Sequence, residues 1–263
     1  MKIAVLTENT ACSPEFGCEH GLSLYIEACG HRLLFDSGQS GLFAGNAKIL
    51  GIDLESADTA VLSHGHYDHG GGLERFLEIN KKARVYMNIH AFEGHFGGDG
   101  RNIGLDPGLK ESDRIEYTDK ETELFDGAVL FPAGGHGLAY PVDSSGLKTV
   151  RNGSLPPEDF IHEQYLLIKE NGRQILISGC SHRGILNIMN RFAPDVLIGG
   201  FHFMNIPTEG EGAERLNYAA NELMQYNTRY YTGHCTGREQ FDFLKKIMGD
   251  RIEYISAGMR FEL

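Results

Sequence analysis

One ten-residue run constrains this chain more than any other feature of its sequence. It reads SHGHYDHGGG, from Ser63 to Gly72, and it places three histidines and one aspartate within six residues. The apolar stretch Asp58–Leu62 before it predicts a buried strand, and Gly72–Asn80 after it has apolar residues at helical spacing. The run therefore joins a strand to a helix, and its glycines let the backbone turn tightly enough for the polar side chains to converge.

Imidazole and carboxylate groups in this arrangement indicate a metal site. Residues i and i+2 of an extended loop point the same way, so His64 and His66 are predicted to bind one ion. Asp68 and His69 fall at the turn into the helix and are predicted to face a second ion close by. The alternative is a solvated polar loop, but an HxHxDH pattern at a strand end has few other uses.

The remaining pattern predicts a layered α/β protein. Short strand-like runs dominate the first third, and helices come between the later strands, which is typical of sheets covered by helices. Glu170–Arg173 contains Asn-Gly between two strands and predicts a hairpin. The stretch Ala91–Lys110 has six glycines and no period, which favours a functional loop. With no linker or repeat, residues 1–263 are expected to form one domain.

Composition excludes several classes of protein. Among 263 residues there are 34 glycines and 12 histidines, and the net charge is −12. Such an acidic chain is a poor nucleic-acid binder, because phosphates require clustered Lys and Arg. Its five cysteines include no CxxC pair, so neither a disulfide framework nor a four-cysteine zinc site is predicted. No apolar run reaches 18 residues and no signal peptide is evident, so we expect a cytoplasmic protein without a membrane partner.

These motifs resemble those of the metallo-β-lactamase superfamily along most of the chain. The HxHxDH run is the superfamily's hallmark, and Leu33–Gly38 (LLFDSG) matches its first motif, an Asp after an early strand. The resemblance implies a four-layer αββα sandwich with the metal site at one edge, between the sheets. It also implies that Asp36 supports the histidine loop without binding metal itself.

The resemblance also implies ligands further along the chain. His234, in YTGHCTG, matches the last superfamily histidine. His182 lies in GCSH, after a strand whose end carries a metal-bridging Asp in many relatives, and Cys180 occupies the position of that Asp. We assign His182 as the ligand and Cys180 as its supporting neighbour. His136, in PAGGHG, and Cys180, as a thiolate, are the alternative ligands.

Five short motifs narrow the resemblance to one branch. They are EHGLS, FDSGQS, GCSHRGI, GGFH and HCTG. Together they resemble the branch named for a dihydropterin-(ribofuranosyl)aminobenzene 5′-phosphate synthase. In that branch the GCSH histidine completes the first metal site, which favours His182 over His136.

The resemblance implies a binuclear metal-dependent enzyme. The cofactors expected are two divalent ions, zinc first, with manganese, iron or magnesium as alternatives. Asp68 is expected to steer a metal-bound hydroxide and His202 to protonate a leaving group, and the expected substrate-binding residues are His20, Asn9, His95 and Arg183. We expect a small, phosphorylated substrate. A hydrolase of esters, lactones or phosphodiesters is the alternative, followed by a non-catalytic metal sensor, and a homo-oligomer is left open.

Overall fold

Two seven-stranded sheets form the centre of the structure, a computed structural model that describes residues 1–135, 137–151 and 153–263. His136, one of the alternative ligands, therefore lies outside the described residues. The strands are β1 Lys2–Thr7, β2 Ser23–Ala28, β3 His31–Phe35, β4 Thr59–Val61, β5 Arg84–Asn88, β6 His95–Phe96, β7 Ile115–Thr118, β8 Thr122–Phe125, β9 Ala128–Pro132, β10 Lys148–Thr149, β11 Gln164–Glu170, β12 Arg173–Ile177, β13 Val196–Ile198, β14 Arg229–Thr232, β15 Ile252–Tyr254 and β16 Arg260–Glu262. The helices are α1 Leu42–Ile49, α2 Tyr67–Gly70, α3 Leu73–Ile79, α4 Ile185–Phe192, α5 Gly210–Met224 and α6 Arg238–Met248.

The order of strands places like-directed strands side by side in both sheets. The first sheet runs β16-β1-β2-β3-β4-β5-β7, with β3, β4, β5 and β7 parallel. The second runs β15-β14-β13-β12-β11-β9-β8, with β12 to β15 parallel. The strands β6 and β10 form a separate two-stranded ribbon. The loops that follow the parallel strands therefore emerge together at one edge of each sheet.

Three apolar cores separate four layers. Alternate residues of β1, such as Ile3 and Val5, pack between the two sheets, whereas Ala4 and Leu6 face α1 and α3. On the other side, α4, α5 and α6 cover the second sheet. The side-chain period of two in a strand produces this division of each sheet into two apolar faces. The predicted αββα sandwich is confirmed.

Local predictions held where the sequence signal was strong. The Asn-Gly pair joins β11 to β12 as a hairpin, with φ of 52° at Asn171 and 75° at Gly172, which is the positive-φ backbone that such a turn requires. The strands β6, β7, β8, β10 and β16 were not predicted. None is longer than four residues, and most of their side chains are at least partly exposed, so none shows a clear apolar alternation.

None of the helices in the described part of the chain combines the length and the apolarity needed to cross a bilayer.

Candidate metal centre

Three strand ends bring the predicted ligands together at one edge of the sandwich. His64, His66, Asp68 and His69 follow β4 in the first sheet. His182 follows β12 and His234 follows β14, both in the second sheet. All six side chains are buried. A hydrogen bond from the Gln164 amide to the Ser63 carbonyl, at 2.8 Å, joins the two sheets here.

The first group of donor atoms comes from His64, His66 and His182. One ring nitrogen of each lies within 4.8 Å of the other two. His64 Nε2, His66 Nε2 and both ring nitrogens of His182 are buried without a hydrogen-bond partner. Buried polar atoms in folded proteins are rarely left unpaired, so this cluster fits a bound cation.

The second group comes from Asp68, His69 and His234. Their donor atoms form a triangle, in which His69 Nε2 lies 3.1 Å from His234 Nε2. Asp68 Oδ2 lies 3.2 Å from His234 Nε2 and 3.8 Å from His69 Nε2. A tetrahedral zinc ion with Zn–N bonds of about 2.0–2.1 Å holds two nitrogens about 3.3 Å apart, so the triangle has the size that a metal ion requires.

Asp36 sets which nitrogen of two of these rings carries the proton. Its carboxylate accepts from the Ser63 amide at 2.7 Å, from the Ser63 hydroxyl at 2.8 Å and from His69 Nδ1 at 2.6 Å. Because the Ser63 hydroxyl gives its hydrogen to Asp36, Ser63 Oγ accepts from His64 Nδ1 at 2.8 Å. Both histidines therefore turn Nε2 toward the site, where its lone pair can bind a metal ion. The structure thus places Asp36 beneath the histidine loop and in contact with it.

His234 is oriented from both ends. Its Nδ1 donates to Asn9 Oδ1 at 2.8 Å, which again leaves Nε2 facing the site. Its backbone amide donates to Glu8 Oε1, and φ at His234 is 49°. The predicted substrate-binding residue Asn9 thus has its side-chain oxygen committed to a candidate ligand, and Gly21 also donates to that oxygen at 3.2 Å.

His182 is held through its backbone and its ring. The buried Glu163 carboxylate accepts from the amide of His182 at 2.7 Å, from that of Arg183 at 3.1 Å and from the Tyr165 hydroxyl at 2.7 Å. The His182 ring stacks on Phe160, with centroids 4.4 Å apart and planes 6° apart. These two contacts hold His182 in place. Neither of them uses a ring nitrogen, so both nitrogens stay free to bind a metal ion.

Gly65 shows why the histidine loop needs glycine. A Cβ atom on this residue would lie 2.0 Å from the Ala91 carbonyl oxygen. The loop therefore lies directly against the backbone of the neighbouring chain segment, and only a residue without a side chain permits this approach.

Cys180 lies between the two donor groups. Its Sγ is 3.1 Å from His69 Nε2, and together with His64 and His69 it forms a cluster whose donor atoms are within 4.8 Å of one another. Its sulfur thus lies among the candidate ligands, as the alternative to a supporting role requires. Burial raises the pKa of this thiol well above its ordinary value, so the S–H is retained unless a cation displaces the proton.

A third cluster contains His66, His95 and His162. His95 Nδ1 lies 2.7 Å from Glu158 Oε2, whereas His162 Nδ1 accepts from the Gly65 amide at 2.8 Å. Neutral His162 must then carry its proton on Nε2, so it offers no lone pair to a metal. This cluster therefore fits a cation less well than the first two.

Three other predicted residues occupy different positions around the site. His20 Nε2 lies 3.3 Å from Asp68 Oδ2, and the His202 ring is 4.2 Å from that of His182. His202 and His182 also line a cavity of about 420 Å³ that extends toward α4 and α5. Arg183, predicted to contact phosphate, is buried, and its Nη1 donates to the Asp159 carbonyl at 2.8 Å.

Burial dominates the electrostatics of the centre. It lowers the pKa of His64, His66 and His182 well below the ordinary value, and it lowers that of His234 to about 4. These rings are therefore neutral near pH 7, the form that binds metal. At Asp68, burial opposes ionisation, but the neighbouring histidines, His69 foremost, hold the pKa of the carboxyl well below its usual range.

Three carboxylates hold this site, and the sequence did not predict this supporting role for any of them. Glu8, Glu158 and Glu163 are each at most 3% exposed. Glu8 and Glu163 act on backbone amides far away in the chain, which leaves no local motif. The only available signal was an acidic residue directly beside a strand that is otherwise apolar, Glu8 after β1 and Glu163 before β11.

A comparison with known families decides the classification. The family model of the metallo-beta-lactamase superfamily matches residues 16–150. The chain belongs to this superfamily. The match includes Asp36 and the whole HxHxDH run, whereas His182 and His234 lie beyond it.

Two curated relatives of this superfamily member come from Methanocaldococcus jannaschii. One is an uncharacterized protein that is 29% identical over 246 residues, which cover 89% of this chain and 90% of the relative. The other is named 7,8-dihydropterin-6-methyl-4-(beta-D-ribofuranosyl)-aminobenzene-5′-phosphate synthase. It is 28% identical over 288 residues, with 98% of this chain and 95% of the relative covered.

Solved structures give the same classification. A crystal structure described as a metal-dependent hydrolase of the beta-lactamase superfamily matches with a TM-score of 0.85 and 28% identity, covering 100% of this chain and 99% of that chain. Zinc-bound PqqB from Methylobacterium extorquens matches with a TM-score of 0.59 and 13% identity, covering 100% of both chains. At that identity only the fold is shared.

Proposed function

We propose that the two donor groups hold two divalent metal ions, zinc first, and that the chain is an enzyme acting on a small phosphorylated molecule. The observation that carries this proposal is the orientation of the donors. His64, His69 and His234 each give their Nδ1 proton to a fixed acceptor and turn Nε2 toward the same small space. Imidazole lone pairs packed this closely are unfavourable unless a proton or a cation lies between them.

Divalent ions, when bound, would supply Lewis acidity and lower the pKa of a water molecule. The protein's own groups do the rest. Asp68 is ionised at neutral pH and its side chain is 10% exposed, so it can accept a hydrogen bond from an incoming nucleophile. Burial lowers the pKa of His202, which favours a neutral ring that hydrogen-bonds substrate over the predicted proton donor.

The proposed substrate-binding site is the cavity beside His182 and His202. It has a volume of about 420 Å³, within the usual range for a small-molecule site, and its lining includes Phe203, Tyr218 and Arg215. The aromatic side chains suit a ring-bearing substrate, and Arg215, which pairs with Asp143 at 3.3 Å in the same lining, would bind an anionic group by exchanging that partner.

Among reactions, we favour synthesis of the kind named for the second relative, because that alignment covers 98% of this chain. In this chain, a nitrogen or carbon of an arylamine would displace diphosphate from the methyl carbon of a dihydropterin and lose its proton to the surrounding water. A hydrolase is the second candidate, because the structure with a TM-score of 0.85 is described as a metal-dependent hydrolase.

A substrate panel tests the choice. Metal-loaded protein is incubated with dihydropterin pyrophosphate and ribofuranosylaminobenzene 5′-phosphate, and separately with phosphodiesters and lactones. Mass spectrometry should detect the condensed product, and Asp68→Ala should abolish it. Hydrolysis of any panel member without condensation would instead support the second candidate.

A further inference from the structure

We propose that His162 is a positioning residue for the first donor group, acting through the backbone of Gly65. The inference rests on the proposed metal centre. His162 follows an irregular segment, and sequence reasoning gave it no role. It lies in residues 158–163, called here the clasp segment, just before β11.

The contact is a single directed hydrogen bond. The Gly65 amide, between the two candidate ligands His64 and His66, donates to His162 Nδ1 at 2.8 Å. Two residues earlier, the Ser63 carbonyl accepts from the Gln164 amide at 2.8 Å. These two bonds bracket His64 on both sides, so the loop's position relative to the second sheet depends on them.

The His162 ring is itself immobilised. It is fully buried and stacks on His95, with centroids 4.0 Å apart and planes 26° apart. His95 is in turn held by Glu158, the first residue of the clasp segment. The acceptor for Gly65 is therefore held by a buried ring that packs on a hydrogen-bonded neighbour.

The same segment also holds the third ligand. Glu163, next to His162, accepts from the amide of His182 at 2.7 Å, and Phe160 stacks on the His182 ring. The clasp segment thus contacts both stretches of chain that supply the first donor group. It sets their separation without contributing a ligand.

The test compares His162→Asn, His162→Gln and His162→Leu. Asn places an oxygen near the position of Nδ1 and preserves the acceptor, whereas Gln places its polar atoms near Nε2 and Leu has none. The measurements are Co²⁺ affinity by chelator competition and the visible spectrum of the Co²⁺ protein. His90→Leu is the control, because that ring is partly exposed and paired with Glu93 at 2.7 Å.

We expect His162→Leu and His162→Gln to weaken binding at one of two ions about 10- to 100-fold, with altered cobalt bands, and His162→Asn to resemble the wild type. If Leu prevents folding, the Asn and Gln variants decide alone. Wild-type binding in the Gln or Leu variant, or equal loss in Asn, would overturn the inference. A wild-type protein that binds no metal would instead overturn the proposed function.

Discussion

His69 Nε2 and His234 Nε2 lie 3.1 Å apart, and the Nδ1 atoms of the two rings are held by Asp36 and Asn9. Two nitrogens of this kind repel each other unless a proton or a metal ion lies between them. Burial lowers the pKa of His69, but Asp36 and Asp68 outweigh it and raise the pKa overall. In the metal-free protein a proton can therefore occupy this space, and a divalent ion would displace it.

Asp36→Asn should weaken metal binding by about 10- to 100-fold, because the carboxylate that orients His69 and Ser63 becomes a neutral amide. Chelator competition measures the affinity. Asp53→Asn is a matched control, since Asp53 only caps the short helix Leu54–Ser56. Unchanged affinity in Asp36→Asn would contradict the role given to this carboxylate.

The contrast between Asp36 and Glu163 shows how much of the site the sequence could predict. Asp36 stands in a motif, and HxHxDH is a local pattern whose spacing suffices to predict convergence. Glu163 accepts hydrogen bonds from backbone amides about 20 residues further along the chain, and Glu8 accepts one from an amide that is 226 residues away. Such contacts follow from the packing of two sheets, which no local periodicity encodes.

Cys180 makes a spectroscopic prediction. If its sulfur joins the centre, metal binding must remove its proton, and the Co²⁺ protein should show a thiolate-to-metal charge-transfer band in the near ultraviolet. Cys180→Ser should remove the band. Cys29→Ser should retain it, because Cys29 follows the far end of β2 and its Sγ contacts the Lys169 carbonyl at 3.6 Å. Absence of the band in the wild type would return Cys180 to its predicted supporting role.

Variants of His182 and His202 should differ in metal content, although the two rings are only 4.2 Å apart. His182→Ala removes a candidate ligand and should lower the metal content by about one ion per chain. His202→Ala should retain the full content and lose turnover, since that side chain lines the cavity. Elemental analysis of both purified proteins measures this, and equal metal loss in the two variants would make His202 a ligand.

Acid should destabilise the metal-free protein in a defined range. The pKa of His234 falls from 6.5 to about 4 on burial, and His64, His66 and His182 shift in the same direction. Between pH 6.5 and about 4, these histidines are protonated in the unfolded chain but not in the folded chain. The free energy of unfolding therefore decreases as pH falls through this range. His234 alone accounts for roughly 3 kcal/mol.

Urea unfolding in the presence of a chelator, at a series of pH values, measures this slope. His234→Gln should flatten it, because the glutamine does not titrate. A wild-type stability that is constant across the range would show that these rings are not held neutral by burial.

Gly65→Ala should disrupt both the fold and the site. The added Cβ would meet the Ala91 carbonyl oxygen at 2.0 Å, a contact that requires the backbone to move. Because the Gly65 amide is also the donor to His162, the movement would displace His64 and His66 together. We expect a loss of about 3 kcal/mol or more in unfolding free energy, with weaker metal binding.

Gly45→Ala is the control: Gly45 lies in α1 with nothing within 4 Å of the added atom, and the substitution should stabilise the protein by about 0.5–1 kcal/mol. Thermal unfolding of both variants, with and without metal, distinguishes the two effects, and equal stability in the two would contradict the close packing of this loop.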